Sequence, residues 1–364
     1  MGANGLGSSD AQLTTPGPSH LSAKPQTKNQ KPKIFDLIGV GSPIMDLLAP
    51  VPDAFLAHVP GAKGGMELVD AAEMARIVAL LDRAPACTPG GSAANTTFTD
   101  ARLGLRATFL GMLGNDELAR TYRRRFEAAG IDGSRFKQAA LPNARCLALV
   151  TPDAQRTMRT CLAAAMTLAP ADVTPDDFRG CRHAHIEGYL VFNRALADAV
   201  LDAARAAGCT VSLDLPSFEV VAEARDWLFD QIRRGLDIVF ANEDEIRALF
   251  QDRAADYPAL ARRLAGHGAL AAVKIGAAGA WLAQGETLHR ITAVAVPDAV
   301  DTNGAGDAWA AGFLSGHLRG WPLAASGALA SLLGAETVRH LGPIIPDSDW
   351  AGVRPRAQAL APKP

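Results

Sequence analysis

The residues best suited to chemistry lie in a glycine-rich segment, Asp301 to Asp307, that reads Asp-Thr-Asn-Gly-Ala-Gly-Asp. An apolar run follows at once, which predicts a loop that opens a helix. Gly304 and Gly306 let the backbone approach a ligand, and the amides at a helix N-terminus favour an anion such as phosphate. Because a carboxylate repels bound phosphate, Asp307 fits this place as the base for an attacking hydroxyl. A capped helix start, with Asp301 or Thr302 as cap, is the alternative.

A second glycine-to-helix transition lies earlier in the chain, at Pro89 to Thr96. Gly90 and Gly91 again permit a ligand to approach the backbone closely. Asn95 lies one turn into the following helix, on the side of that approach. A Gly-Gly turn with Ser92 as cap explains this segment equally well when it is taken alone.

Isolated acids and amides mark two further places. Asp46 is flanked by apolar residues, so it either grips a polar ligand or faces solvent on an edge strand, and its local context favours solvent. Asn242 and Glu245 follow a predicted strand end, three residues apart, where an amide and an acid can hold Mg²⁺ and its waters. A helix capping box is the alternative for this pair, and the local sequence favours it.

The segment from Lys274 to Gly279 ends another predicted strand and carries two glycines, Gly276 and Gly279. Glycines here suit a nucleotide phosphate or ribose lying against the backbone. A simple hairpin turn into the next strand explains the segment about as well.

The elements that must position these residues alternate between strand and helix. A first strand is predicted over 34–41, and a strand at Met66–Val69 precedes a helix capped by Asp70. From Cys181 onward the expected elements are strand His183–Glu187, helix Arg194–Ala207, strand Thr210–Leu215, helix Phe218–Arg234, strand Leu236–Ala241, helices Asp244–Phe250 and Tyr257–Gly266, and strand Leu270–Ile275. Such repeats predict an α/β fold with a parallel sheet covered by helices, and ligands at the carboxyl ends of its strands.

Short strand-like runs between Phe136 and Cys161 fall outside this alternation, and they predict hairpins that form a small β lid. Residues 1–33 are rich in Gly, Ser, Pro, Thr, Gln and Lys, which predicts a disordered N-terminal tail. The proline-containing end, residues 346–364, is predicted to be a loose C-terminal tail. A single catalytic domain over 34–345 is expected between them, with lid segments at about 42–69 and 135–162.

Composition limits the function classes. The chain has 364 residues, 48% of them hydrophobic, and its 36 basic and 38 acidic residues nearly balance. This balance gives no case for nucleic acid or a membrane surface as partner and favours small molecules. Five widely spaced cysteines without a C-x-x-C motif argue against a disulfide framework and a zinc site. With no apolar run long enough for a bilayer and no secretory signal, a cytoplasmic location is expected.

Taken in order along the chain, these segments resemble the ribokinase-like (PfkB) family of small-molecule kinases, over about Ile34 to Leu341. The resemblance is strongest to the adenosine kinase branch. Four features favour that branch, namely Asn303 at the variable position of the Asp301–Asp307 segment, Met66–Asp70 after a glycine-rich link, Leu162–Ala165, and Ile186–Tyr189. The family implies a three-layer sandwich, with a mostly parallel central sheet between helices and a small β lid.

The resemblance also implies roles for the segments. Asp307 would be the base, and the amides of Gly304, Ala305 and Gly306 would form an anion hole for the transferring phosphoryl group. The acceptor hydroxyls would be bound by Asp46, Gly90, Gly91 and Asn95. The nucleotide would lie along Lys274, Gly276, Gly279 and Asn303. Asn242 and Glu245 would act on Mg²⁺, mostly through water. Arg156 and Arg159 are candidates to approach phosphate when the lid shuts, with solvated lid surface as the alternative.

The implied reaction transfers the γ-phosphoryl group of ATP to the 5′-hydroxyl of adenosine, giving AMP and ADP, in purine salvage. Mg²⁺ is the implied metal, and K⁺ stays an open candidate because some relatives depend on it. A monomer or a homodimer is expected. Two alternatives stay open, which are a sugar kinase of the same family, acting on ribose, fructose or a related sugar, and a nucleoside-binding protein without catalysis. A dinucleotide-binding oxidoreductase is disfavoured, because no G-x-G-x-x-G follows the first strand.

Overall fold

The structure is a computed structural model that describes Met1, residues 35–153 and residues 155–362. Apart from Met1, the N-terminal tail predicted over 1–33 lies outside these residues. The strands in chain order are β1 (Phe35–Val40), β2 (Ile44–Pro50), β3 (Met66–Leu68), β4 (Ala86–Gly90), β5 (Ala107–Leu110), β6 (Met112–Leu113), β7 (Lys137–Gln138), β8 (Arg145–Val150), β9 (Arg156–Cys161), β10 (Cys181–Glu187), β11 (Thr210–Asp214), β12 (Ile238–Ala241), β13 (Leu270–Lys274), β14 (Ala280–Gln284) and β15 (Thr287–Ile291). The α-helices are α1 (Ala71–Ala79), α2 (Ser92–Arg102), α3 (Glu117–Ala128), α4 (Arg194–Ala206), α5 (Phe218–Arg233), α6 (Glu243–Phe250), α7 (Tyr257–Ala265), α8 (Ala305–Leu318), α9 (Leu323–Thr337) and α10 (Trp350–Ala359).

An eight-stranded sheet forms the centre of the domain, in the order β15-β14-β13-β12-β11-β10-β1-β5. The strands from β13 to β5 are parallel, and β14 and β15 are antiparallel. Strand β12 shows why this sheet is covered on both faces, since all four of its residues are apolar and buried. Ile238 and Phe240 pack on the side of α8, while Val239 and Ala241 pack on the side of α4 to α7.

The strand order reverses at β1, which lies between β5 and β10. From β1 the chain first builds β5 on one side and later builds β10 to β13 on the other. A crevice opens at the carboxyl ends of the strands where such a reversal occurs, and ligands of open α/β sheets bind there. The beginning of α2 and the beginning of α8 both lie at this edge of the sheet.

A second sheet of five strands, in the order β3-β9-β8-β2-β4, corresponds to the expected lid. Four of these strands fall inside the segments predicted for the lid, 42–69 and 135–162. Strand β4 adds a third segment that the sequence prediction missed. Its sequence, Ala-Cys-Thr-Pro-Gly, contains a proline and a glycine, which disfavour a central strand but are accepted at a sheet edge such as this one.

The C-terminal region corrects one prediction. Residues 346–364 were predicted to be a loose tail, but helix α10 forms there and buries Trp350, Val353 and Ala357. This spacing places the three side chains on one helical face, where they join the apolar cluster of α8 and α9. Arg356 also donates to Glu336 of α9 at 2.8 Å. The prolines in the region masked the helical pattern, and Pro355 lies inside the helix itself.

Within residues 35–153 and 155–362, none of the helices combines the length and the apolar character that a bilayer span requires.

Candidate active site

The Asp301–Asp307 segment forms a loop that leads into α8. Gly304 is the N-cap of the helix and has a φ of +73°, in the left-handed region that favours glycine. A methyl group at this position would lie 2.4 Å from the carbonyl oxygen of Pro343. Asp301 fixes the beginning of the loop by accepting hydrogen bonds from the amides of Asn303, at 3.1 Å, and Gly342, at 2.8 Å. The loop is therefore a defined structure whose cap has no side chain.

Asp307 lies on the first turn of α8, and its carboxylate is held by the beginning of α2. Ser92 Oγ donates to Asp307 Oδ1 at 2.8 Å, and Asn95 Nδ2 donates to Asp307 Oδ2 at 2.8 Å. Thr96 Oγ1 donates to the main-chain oxygen of Asp307 at 3.2 Å. Both predicted glycine segments thus meet at one carboxylate, although 212 residues separate Asn95 from Asp307.

The environment of Asp307 suits a base. Burial, with a smaller contribution from the charge of Asp214, raises the pKa of its carboxyl to about 6, against hydrogen bonds from Asn95 and Ser92 that favour the ionised form. A carboxylate with this pKa is ionised at neutral pH and still accepts a proton more readily than an ordinary aspartate.

Asp46 lies close to this carboxylate, on strand β2 of the lid. A methyl group at Gly90 would lie 2.4 Å from Asp46 Oδ2, so the absence of a side chain at Gly90 makes room for the acid. Burial, together with the charge of Asp307, raises the pKa of Asp46 to about 7. The local context had favoured a solvent-facing acid on an edge strand, but Asp46 is half-buried on a strand that lies between β8 and β4. The neighbours that cover it come from other parts of the chain, which the local pattern cannot show.

Gly91 connects β4 to α2 and has a φ of +99°. A methyl group here would lie 2.3 Å from the carbonyl oxygen of Ser42. The Gly-Gly turn that the sequence left as an alternative therefore exists, but Gly91 rather than Ser92 is the N-cap. The Ser92 side chain is bonded to Asp307 instead.

A buried ion pair lies beneath the loop. Lys274, at the end of β13, donates to the two carboxylate oxygens of Asp214, at 2.9 and 3.1 Å. Burial acts to lower the pKa of Lys274, but the charges of Asp214 and Glu245 raise it above its usual value, so the lysine stays a cation. A methyl group at Gly306 would lie 3.3 Å from Lys274 Nζ. The ammonium group thus lies next to the first turn of α8, where its charge acts on an anion bound at the loop.

Asp214 was missed by the sequence analysis, and a signal for it existed. It is the last residue of β11, and the predicted strand Thr210–Leu215 already ended near a sheet edge where ligands bind. The 60 residues between Asp214 and Lys274 hid their pairing.

Asn242 and Glu245 form the capping box that the sequence offered as the local alternative. Asn242 Oδ1 accepts from the amide of Glu245 at 2.9 Å, and Glu245 Oε2 accepts from the amide of Asn242 at 2.8 Å. Burial raises the pKa of Glu245 to about 8, opposed by the charge of Lys274. The pair lies at the sheet edge beside Lys274, as a metal role requires, yet its oxygens are already engaged.

A metal site formed by the protein alone is not present in the described residues, where no three acidic, histidine or cysteine side chains could together hold an ion. Asp214 contacts the ammonium group of Lys274, and the carboxyl groups of Glu245 and Asp307 also interact with it electrostatically. This excess of carboxylates fits an ion such as Mg²⁺ that is bound mainly by phosphate oxygens and water.

The residues predicted along the nucleotide lie in two turns. Gly276 and Gly279 form the β13–β14 turn, in which the Ile275 amide donates to the Gly279 oxygen at 2.8 Å. A methyl group at Gly279 would lie 2.1 Å from the carbonyl oxygen of Ile291, so packing on β15 already requires this glycine. The hairpin alternative therefore describes the local structure. Asn303 is exposed in the Asp301–Asp307 loop.

The two lid arginines differ. Arg156 Nη2 lies 2.5 Å from Asp301 Oδ2, so strand β9 of the lid is joined to the loop in front of α8. Arg159 is fully buried and donates to the carbonyl oxygens of Pro60, Gly65 and Met158. Arg159 was predicted either to approach phosphate or to lie on the solvated lid surface, and both interpretations were wrong. Its guanidinium group holds lid loops together and reaches neither solvent nor the Asp301–Asp307 loop.

Aromatic side chains extend beyond the strand ends. Tyr189 and Phe192 follow β10 and stack with ring centroids 6.1 Å apart and an interplanar angle of 20°. Both are exposed, and Tyr189 lies near Ser217, Glu245 and Glu187. In the sequence, Tyr189 contributes only to the family resemblance, and neither aromatic residue was predicted to lie in the site.

The site thus combines a half-buried carboxylate base, a helix N-terminus without a side-chain cap, and a lysine beneath it. These groups can deprotonate a hydroxyl and stabilise the charge of a transferring phosphoryl group. The fold and the site together define the class of the protein, a small-molecule kinase.

The chain belongs to the pfkB family of carbohydrate kinases, whose family model matches residues 66–350. Members of this family use ATP as phosphoryl donor. The chain is therefore a nucleotide-binding protein of the phosphotransferase class.

Solved structures support this assignment. An adenosine kinase from Sinorhizobium meliloti is 31% identical, with a TM-score of 0.78 over 89% of this chain and 99% of that one. A probable sugar kinase from Rhizobium etli CFN 42 is 30% identical, with a TM-score of 0.78 over 89% and 98%. A ribokinase from Thermotoga maritima, 20% identical, has a TM-score of 0.70 over 90% and 99%, so the predicted ribokinase-like α/β fold is confirmed.

Proposed function

We propose that this kinase transfers the γ-phosphoryl group of ATP to the 5′-hydroxyl of adenosine, giving AMP and ADP. The observation that carries the reaction type is the carboxylate of Asp307, fixed by Ser92 and Asn95 at the N-terminus of α8. In this role the enzyme would return adenosine to the nucleotide pool, which is a purine salvage reaction.

The choice of adenosine rests on two supports. The adenosine kinase from Sinorhizobium meliloti is similar over nearly the whole of both chains. Tyr189 and Phe192 also offer exposed aromatic faces next to the strand ends, and a purine can stack on such faces whereas a bare sugar gains less from them.

In the proposed mechanism, Asp307 accepts the proton of the acceptor hydroxyl as that oxygen attacks the γ-phosphorus. The amides of Gly304, Ala305 and Gly306 and the ammonium group of Lys274 stabilise the negative charge that the phosphoryl group carries. Asp46, Gly90, Gly91 and Asn95 orient the ribose hydroxyls. Positioning and charge stabilisation supply most of the rate enhancement in reactions of this type.

The nucleotide would lie along Gly276, Gly279 and Asn303. Mg²⁺, when bound to the ATP phosphates, would neutralise charge there, and Asn242, Glu245 and Asp214 would hold its water ligands. K⁺ has no support among the described contacts. Arg156 reaches this site from strand β9 of the lid, because its ion pair with Asp301 brings it to the loop in front of α8.

A sugar kinase is the second candidate, since the probable sugar kinase from Rhizobium etli is as similar to this chain as the adenosine kinase is. It would use the same base and loop on a different acceptor.

The deciding experiment measures ADP release from Mg·ATP with adenosine, guanosine, inosine, ribose and fructose in parallel, against a control without acceptor. Selective turnover of adenosine is the expected result. Turnover of a sugar alone would keep the mechanism and reject the acceptor. Absence of turnover, with a thermal shift on adenosine, would favour a nucleoside-binding protein without catalysis.

A further inference from the structure

Glu187 is a buried acid to which the mechanism above gives no role. It ends strand β10 with only 4% of its surface exposed. Backbone amides of Ser42, Ser92 and Ala93 donate hydrogen bonds to its carboxylate, with a distance of 3.4 Å from Ala93 N to Glu187 Oε2. An acid that is removed from solvent in this way needs such partners, because an unpaired buried charge is costly.

These amides belong to two places where the chain passes between the central domain and the lid. Residues 41–43 lead from β1 of the central sheet to β2 of the lid, and Gly91 leads from β4 of the lid to α2. We name these segments the two lid crossings. A methyl group at Gly41 would lie 2.5 Å from Glu187 Oε2, so the acid fills the space that a side chain would need.

The two crossings also contact each other. A methyl group at Gly91 would lie 2.3 Å from the carbonyl oxygen of Ser42, as described above. Glu187 therefore lies at a junction where both crossings and the first turn of α2 meet, and its carboxylate accepts amides from each of them.

The same turn of α2 holds the base. The amide of Ser92 donates to Glu187, and the hydroxyl of Ser92 donates to Asp307 Oδ1 at 2.8 Å. Asn95 lies on the same turn of α2, and its Nδ2 donates to Asp307 Oδ2. Glu187 is thus connected to the base through the backbone it anchors.

We propose that Glu187 is a positioning residue, which anchors the two lid crossings to the beginning of α2 and thereby holds Ser92 and Asn95 in place on Asp307. This inference rests on the proposed role of Asp307 as the base. It explains why a carboxylate, rather than an apolar side chain, lies at this buried junction, since three converging amides require an acceptor.

Burial raises the pKa of Glu187 to about 7, its three amide partners lower it, and the charge of Asp307 raises it. Because this value lies above the pKa of about 6 for Asp307, Glu187 is mainly neutral while the base titrates. Removal of Glu187 is therefore expected to leave the pKa of the base nearly unchanged and to act on turnover through geometry.

The test compares Glu187→Ala and Glu187→Gln with Asp100→Asn as a matched control. Asp100 is fully buried on the same helix and accepts from Ser315 Oγ at 2.7 Å, away from the lid crossings. Burial raises the pKa of Asp100 well above its usual range, so asparagine closely mimics the neutral acid that is present. The glutamine variant keeps the shape of the side chain and covers the case in which the alanine variant does not fold.

Hydrogen–deuterium exchange of peptides covering 41–46 and 90–96 measures directly whether Glu187 protects the amides that donate to it. We expect exchange at the Ser42, Ser92 and Ala93 amides to accelerate about tenfold or more in Glu187→Ala, the change that the loss of a hydrogen bond produces. Asp100→Asn should leave these amides unchanged. Unaltered exchange in both Glu187 variants would overturn the inference.

Kinetics read the effect on the base. We expect kcat to fall about tenfold to a hundredfold in Glu187→Ala with KM for the acceptor nearly unchanged, partial recovery in Glu187→Gln, and an acid limb of the pH profile that keeps its position in both. A rise in KM with unchanged kcat would overturn the inference, since Glu187 would then contact the acceptor. Failure of the proposed function would appear as absence of turnover in the unaltered chain, and the exchange experiment would still decide whether Glu187 anchors the crossings.

Discussion

Two helices begin at the same edge of the central sheet, and their first turns are built differently. At α6, Asn242 and Glu245 form a capping box in which each side chain accepts the backbone amide of the other. At α8, the cap is Gly304, which has no side chain to offer to the amides of the first turn. The acid of that turn, Asp307, is held by residues of α2 instead.

The difference separates a helix end whose first amides are bonded to its own side chains from one whose amides are open to an anion. Where a helix satisfies its first amides with its own side chains, little remains for a ligand. Where a glycine leaves the amides available and an acid is fixed from another helix, the same dipole can serve an anion. The pattern of acid and amide in the sequence is similar in both places, and only the partners distinguish them.

The largest effect that would sharpen this comparison is expected from Gly304→Ala. The new methyl group would enforce an unfavourable φ and contact the Pro343 carbonyl oxygen, so the loop must move and the anion site is lost. We expect kcat/KM to fall about a hundredfold or more in initial-rate assays.

Gly320→Ala is its matched control. Gly320 follows the other end of α8 with a φ of +78° and has open space around it. Both variants should lose about 1 kcal/mol or more of unfolding free energy, but only Gly304→Ala should lose activity. Equal loss of turnover in the two would contradict a special role for the loop.

A smaller effect is expected from Asn242→Ala, which removes the cap of α6. We expect the free energy of unfolding to fall by about 1 kcal/mol in chemical denaturation, and turnover to fall much less than in Gly304→Ala. Asn242→Ser retains a capping oxygen and should recover most of the stability. If Asn242→Ala abolished turnover as Gly304→Ala does, the contrast between the two helix ends would be wrong.

The smallest effect concerns stability against pH. Burial leads the rise in pKa of four carboxyls at the site, to about 6 for Asp307, 7 for Asp46, 7 for Glu187 and 8 for Glu245. In the unfolded chain such groups titrate near 4, so the folded state binds more protons between these values. Stability is then greatest at the acid end and is lost as pH rises through the folded pKa values.

We therefore expect the thermal midpoint of the chain without ligands to fall by a few degrees between about pH 5 and pH 8. Asp46→Asn should flatten this dependence, because one of the four carboxyls is removed. A midpoint that rose over the same interval would show that these acids are not held in their neutral form.

The sequence predicted the site best where a residue type is required by the backbone conformation at that same position. Gly91 and Gly304 mark turns that the backbone must make, and Gly90 and Gly306 beside them leave room for Asp46 and Lys274, so two loops and their helices could be predicted from residue types alone. The alternation of strands and helices likewise predicted the parallel sheet, because the spacing of apolar residues in the local sequence distinguishes a strand from a helix.

Long-range partners were beyond the sequence. The pairing of Lys274 with Asp214, the burial of Asp46 and the place of Glu187 at the lid crossings depend on which strand ends become neighbours in the sheet. The lid strand β4 and helix α10 were missed for a related reason. Each is stabilised by packing that overrides the local signal of its prolines and glycines.

The most direct test of the central claim, that the acid at the beginning of α8 is the base, is the turnover of Asp307→Asn compared with its ATP affinity. The substitution keeps the shape of the side chain and removes its ability to accept the acceptor's proton. We expect kcat to fall about a hundredfold to ten-thousandfold, with an ATP Kd that changes little by calorimetry. Near-normal turnover in a folded Asp307→Asn variant would contradict it.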